Sequence, residues 1–241
     1  MPITAIQPRR LYQQIADQLR ALIEGGEFRP GDRLPAERDL AEQFGISRPT
    51  VREALIALEV EGRIRIRVGA GIYVTERAPT PSPKNAAIEG PFELLRAREL
   101  VEGAVAAQAA LQVTAAHIAS LDRLIDAMQA AKHPCCDTLA LDRDFHTAIA
   151  DILGNAVIVR FVGELFDERI NPYFERLSGY FENAETWRTA LQEHRAIRDA
   201  IAAGDPEAAT RAMRHHLQQS QQRFSPTFGE EAEPGGETGA A

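Results

Sequence analysis

"LAEQFGISRPTVREALIALEVEG" (residues 40–62) decides how the first third of this chain folds. It predicts two helices joined by a tight turn. The first is the end of "AERDLAEQFG" (36–45), stopped by Gly45; the second is "SRPTVREALIALEVEG" (47–62), closed by Gly62. Ser47 is placed to cap the second helix, and Pro49 is tolerated in its first turn, where a missing backbone N–H is no loss. That helix begins with Ser, Arg and Thr and carries a further Arg one turn on. Such side chains at a helix N-terminus suit a DNA major groove, where the forked guanidinium of Arg48 or Arg52 can pair with guanine. A fork of that kind is worth roughly 1–3 kcal/mol of base discrimination. Ser47 and Thr50 can hold phosphates or base edges.

Working outward, "RRLYQQIADQLRALIEGGEF" (9–28) spaces Leu11, Ile15, Leu19, Leu22 and Ile23 as one face of an amphipathic helix that stops at Gly25-Gly26. After residue 62 the period changes. "RIRIRV" and "GIYVTE" alternate apolar and polar residues around Gly69-Ala70-Gly71, the pattern of a β-hairpin. Three helices followed by a two-stranded wing make a winged helix-turn-helix unit over residues 8–76.

"ERAPTPSPKNAAIEGP" (76–91) holds four prolines and no apolar periodicity, so 77–91 is predicted to be a linker. Beyond it, helices are expected over 92–112, 114–131, 137–153, 155–170, 184–203 and 206–224, with a turn of helix near 172–181. The fold class is mainly α, a winged unit followed by an all-helical bundle over 92–224. The tail 225–241, rich in Pro, Gly and Glu, is expected to be disordered. No internal repeat is visible.

The 241 residues carry a formal charge of −8, which is unexpected for a nucleic-acid binder. The charge is not evenly spread. Residues 1–76 hold 11 of the 27 Lys+Arg and 11 of the 35 Asp+Glu, which leaves 16 and 24, and the whole deficit, to the second part. A neutral first part can bind DNA if its arginines cluster. No apolar run of about 18 residues predicts a membrane span, and "MPITAIQPRRLYQQ" lacks the apolar core of a signal peptide. The two cysteines, Cys135 and Cys136, are adjacent and form no CxxC pattern; a reduced, cytoplasmic protein is the reading.

Six histidines occur, two of them neighbours in "MRHHLQQS" (213–220). Successive residues on a helix point about 100° apart, so His215 and His216 face differently. Ala209, Met213, Leu217, Ser220 and Phe224 form one stripe that includes His216; Arg211, His215, Gln218, Gln219 and Gln222 form the other. His194 lies on the stripe of Trp187, Leu191, Ile197 and Ile201. In "TLALDRDFHTAIADIL" (138–153), Asp142 and His146 sit one turn apart on the stripe of Leu139, Phe145, Ile149 and Leu153. A buried carboxylate and three buried imidazoles need partners. One divalent cation bound by Asp142, His146, His194 and His216 satisfies all four, whereas carbonyl-bonded core histidines are the plainer alternative. Zinc is the first choice, and nickel, manganese or iron accept the same ligands. His133, before Pro134, and His117, in the first turn after a Thr114 cap, lie off these faces.

Residues 12–74 resemble the N-terminal domain of the GntR family of bacterial transcription regulators, through "RPGDRLPAERDLA", "SRPTVREAL" and "GAGIYV". The resemblance puts Arg38, Arg48, Thr50, Arg52 and the wing-tip Gly69 on DNA. Before that glycine, relatives commonly have a basic or polar residue; Val68 cannot hydrogen-bond a base through its side chain. "LDRDFHTAIADILGN", "EHRAIRDAI" and "MRHHL" resemble the FCD effector domain of the FadR branch, which implies the same four metal ligands and no acyl-CoA effector. "GAGIYV", "GPFELLRARELVE" and "NPYFERL" look most like hexuronate-responsive regulators. A sugar acid could then occupy open metal positions through its carboxylate and neighbouring hydroxyl. Arg98 matches a family arginine able to grip that carboxylate. Arg169 is a second candidate, with a solvated surface position preferred for it.

The reading is a homodimeric, metal-containing, effector-responsive repressor on near-palindromic double-stranded operator DNA, without membrane attachment. Two alternatives stand beside it. One is a purely structural metal with a different carboxylate effector. The other is a metalloenzyme, against which stand the missing general base and the four protein ligands.

Overall fold

The computed structural model describes residues 10–76, 89–131 and 136–224. Residues 77–88 of the expected linker, the tail 225–241, His133 and Cys135 lie outside them. The described residues divide into two compact units, one within 10–76 and one within 89–224. They hold ten helices and one small sheet.

The first unit contains α1 (Leu11–Glu24), β1 (Arg33–Leu34), α2 (Glu37–Phe44), α3 (Arg48–Val60), β2 (Ile64–Arg67) and β3 (Gly71–Val74). Gly45 takes the left-handed conformation (φ 66°, ψ 35°) that ends α2. Ile46 N–H donates back to the Ala41 carbonyl at 3.0 Å, so the chain reverses at once into α3. Ser47 stands at the N-cap of α3 but makes no capping bond; its hydroxyl pairs with that of Thr50 at 2.8 Å instead. α3 is the spine of the unit, with Val51, Ala54, Leu55 and Leu58 fully buried. α3 packs on α1 and β2, and Ile15 and Leu19 of α1 and Ile64, Ile66, Ile72 and Val74 of the wing are buried in the same unit.

The wing has three strands, not two. β3 lies between β1 and β2, with Leu34 opposite Ile72 and Ile66 opposite Ile72 from the other side. A two-residue strand is too short to show alternation, which is why the sequence gives no sign of β1.

The second unit is all helix: α4 (Pro91–Gln112), α5 (Ala115–Ala130), α6 (Cys136–Asp151), α7 (Ala156–Asp167), α8 (Pro172–Phe181), α9 (Ala184–Ala202) and α10 (Pro206–Arg223). Five of these helices begin at a side-chain cap. Thr114 caps α5 with His117 completing the box, Asn155 caps α7, Asn171 caps α8, Asn183 caps α9 and Asp205 caps α10. Such caps contribute about 1 kcal/mol each and fix where each helix begins. The expected turn near 172–181 is a full helix, capped by Asn171 through Tyr173 and Phe174 N–H at 2.9 and 2.8 Å. α10 packs along α4 and against α9, and α6 against α5 and α7. No described helix is long and apolar enough to cross a membrane.

Candidate functional site

The exposed start of α3 and the wing tip form one candidate surface. Arg48 keeps 43% of its side chain exposed, Arg38 keeps 59%, and Ser47 and Gly69 are exposed while Thr50 is half-buried. Gly69 has φ 75°, a turn that a side chain would strain. Beside it Val68 stands out at 49% exposure. Arg52 departs from expectation. It is 2% exposed, and its guanidinium grips the fully buried Glu37 through three contacts of 2.7–2.9 Å. One turn further along the helix than Arg48, it points back at α2 rather than outward. Glu37, which also accepts from Arg48 Nε at 3.3 Å, fixes the angle between α2 and α3. The sequence shows Glu37 only as part of a motif; nothing in its spacing says that it is buried.

The second candidate site is built from α6, α9 and α10. Asp142, His146, His194 and His216 are 7%, 1%, 0% and 4% exposed. One ligand-capable atom from each lies within 4.8 Å of all the others. His194 Nε2 is 3.1 Å from Asp142 Oδ1 and His146 Nε2 is 3.5 Å from the same oxygen. The imidazoles of His194 and His216 stand 4.6 Å apart between centroids. Despite this closeness, Asp142 Oδ1, His146 Nε2 and His194 Nε2 are buried without a well-formed hydrogen bond among the described residues. The face analysis is correct for the neighbours: His216 is buried and His215 exposed. Converging, desolvated polar atoms left without a hydrogen bond are costly unless a further partner stands between them. The donor set, three imidazoles and a carboxylate, fits a divalent transition metal.

The electrostatics agree for three of the four residues. Burial would raise the Asp142 carboxyl, but the adjacent His146 and His194 hold it well below the usual range. Burial pushes His194 down, and pushes His216 further with the help of His194 and His146. Neutral imidazole is the form that ligates. His146 goes the other way, since Glu102 more than offsets the burial. Glu102 itself, which burial would raise, is brought to about 2 by Arg98 and then His146.

A cavity of about 580 Å³ opens beside these residues, with Asp142, His194 and His216 in one wall and Arg169, Trp187 and Arg223 among the rest. Here the order of the two arginine candidates reverses. Arg98 is 1% exposed, committed to Glu102 at 2.6 Å, and does not line the cavity. Arg169 is not on the surface. Its Nη1 lies 2.9 Å from Asp142 Oδ2, and its guanidinium sits 4.8 Å from the rings of both Phe166 and Phe174. Arg98 covers Phe166 as well, at 4.5 Å, so that ring is flanked by two cations. The turn after α7 carries Arg169 inward, and periodicity cannot follow a side chain through a turn. Glu102, Glu193 and Arg223 also escaped the sequence reading. Arg98 and Glu102 four apart, and Glu193 next to His194, were the only signals.

A two-helix reader with a wing, followed by a helical unit with a buried acid–histidine cluster, defines a DNA-binding transcription regulator rather than an enzyme. Residues 11–74 match the gntR family of bacterial regulatory proteins and residues 93–219 match the FCD domain. The chain belongs to this family. It is 38% identical over 220 residues to the Exu regulon transcriptional regulator of Escherichia coli K12, spanning 88% of this chain and 83% of the relative. It is 34% identical over 212 residues to the Uxu operon regulator of Haemophilus influenzae, covering 87% and 80%. The putative L-lactate dehydrogenase operon regulatory protein of E. coli is 32% identical over 222 residues, covering 88% and 85%.

Proposed function

We propose that this protein is a cytoplasmic, homodimeric repressor of genes for hexuronate breakdown, released from its operator when a sugar acid enters the cavity beside a bound metal. The observation that carries the reading is the buried convergence of Asp142, His146, His194 and His216 within 4.8 Å, with facing atoms of the first three lacking a hydrogen bond among the described residues and Asp142, His194 and His216 in the wall of that cavity. A divalent ion, zinc foremost and nickel, manganese or iron otherwise, would be held there and supply a Lewis-acidic seat for a carboxylate and its neighbouring hydroxyl. Arg169 is suited to neutralise the same carboxylate, with Arg98 behind it. The names of the Exu and Uxu relatives support hexuronates as the class. On DNA, Arg48 is the base-reading fork, Arg38, Ser47 and Thr50 its neighbours, and the backbone at Gly69 the wing contact. Arg52, expected beside them, acts through Glu37 by holding α3 in place.

A second reading keeps the site and changes the ligand. A smaller 2-hydroxy acid offers the same carboxylate and hydroxyl, and the lactate-operon relative favours it. Thermal shift and operator band shifts on the zinc-loaded full chain, with D-galacturonate, D-glucuronate, L-lactate and D-galactose, separate the two. Stabilisation and operator release by the uronates alone is expected. Release by lactate alone favours the second reading, and no response to any acid leaves the metal a structural one.

A further inference from the structure

Behind the metal-facing atoms stand two buried carboxylates. Glu102 of α4, 2% exposed, turns Oε2 to His146 Nδ1 and Oε1 to Arg98 Nε at 2.6 Å. Glu193 of α9, 7% exposed, meets His216 Nδ1 at 2.8 Å through Oε2 and Arg223 Nη2 at 2.6 Å through Oε1. Both contacts fall on Nδ1, the ring nitrogen that a carboxylate can keep protonated; the Glu193 contact is a hydrogen bond and the Glu102 contact a close ion pair without hydrogen-bond alignment. A proton held on Nδ1 leaves the Nε2 lone pair bare and fixes the plane of the ring. For His146, that bare Nε2 is the atom 3.5 Å from Asp142.

Plain ion pairs would not need this arrangement. Glu102 accepts from Arg98 on both oxygens and meets the imidazole through Oε2, and Glu193 likewise reaches an imidazole through Oε2 while Arg223 bridges both of its oxygens. Each carboxylate is paired with an arginine in a buried setting. His194 is treated differently. Its one carboxylate contact among the described residues is on Nε2, to Asp142, and no described carboxylate stands against its Nδ1, so nothing behind it sets the tautomer.

We propose that Glu102 and Glu193 are positioning residues of the metal centre, each holding one histidine in the tautomer and orientation that presents Nε2 to the ion. The inference rests on the metal reading of Asp142, His146, His194 and His216. It divides the ligands into two that are held from behind, His146 and His216, and one, His194, that is not.

The test strips the full-length protein of metal and measures zinc affinity by competition with a chromophoric chelator, with the visible spectrum of the cobalt-loaded form as a second readout. Glu193→Ala should weaken zinc binding by about 10–100-fold and change the cobalt bands, whereas Glu193→Gln, which still accepts from Nδ1–H, should stay within about threefold. Glu102→Ala should behave like Glu193→Ala, but it strands Arg98, so the Glu193 pair decides. Melting of the stripped variants separates loss of fold from loss of ligand control. Unchanged affinity in Glu193→Ala, or equal weakening by alanine and glutamine, overturns the proposal. Wild-type protein that takes up neither zinc nor cobalt overturns the metal reading and the positioning role together.

Discussion

Each unit of this protein buries a polar cluster, and the two are finished to different degrees. In the winged unit, Glu37 and Arg52 are sealed at 0% and 2% exposure and joined by three contacts of 2.7–2.9 Å. In the helical unit, Asp142 and His146 are buried almost as deeply, yet their facing atoms make no hydrogen bond with each other. A closed pair is complete by itself and serves the structure. An open set of like-natured donors is incomplete by itself, which marks it as a place for a ligand.

The comparison breaks most visibly at Arg52. Arg52→Ala leaves Glu37 buried without its main partner, and loss of one member of such a pair costs about 3–5 kcal/mol. Urea unfolding of the winged unit's signal should show that loss. A variant as stable as wild type but unable to bind operator would return Arg52 to direct DNA contact. The next effect is smaller. Arg48→Ala removes an exposed side chain, so stability should hold while operator affinity falls at least tenfold, about 1.4 kcal/mol. Band shifts at fixed salt check this, and wild-type affinity would mean that another part of the surface reads the bases.

The smallest effect concerns pH. In metal-stripped protein, His194 and His216 are held below their ordinary value of 6.5. The unfolded chain therefore binds more protons than the folded one, and their contribution is present above about 6.5 and lost as pH falls below it. His146, raised by Glu102, has the opposite sign. Two against one, the stripped protein should show a lower urea midpoint at pH 5.5 than at 7.5. A midpoint that rises on acidification would show that the inward histidines are not held neutral.

The two clusters also differ in how far they could be read from sequence. Asp142, His146, His194 and His216 were legible because helical periodicity separates buried from exposed faces, even for the adjacent His215 and His216. Arg52 was not, because the helix-turn-helix pattern places it on a turn that looks exposed until Glu37 reaches across from α2. Arg169 was misread for a related reason. It follows α7 in a turn, where no period applies, and only the rings of Phe166 and Phe174 and the Asp142 carboxylate draw it inward. The Thr114 cap of α5 was legible and forms, whereas Ser47 was read as a cap and bonds Thr50 instead; β1, with two residues, had no pattern to show. Contacts between distant elements, such as Glu102 with His146, carry no local signature at all.

The central claim is that the open cluster is a metal site with His216 among its ligands. Metal content of purified His216→Ala and His215→Ala, measured beside wild type after growth in zinc-supplemented medium, tests it most directly. The account predicts about one metal per chain in wild type and in His215→Ala, and a large loss in His216→Ala, because one ligand of four is gone. Equal metal content in both variants, or loss confined to His215→Ala, would contradict it.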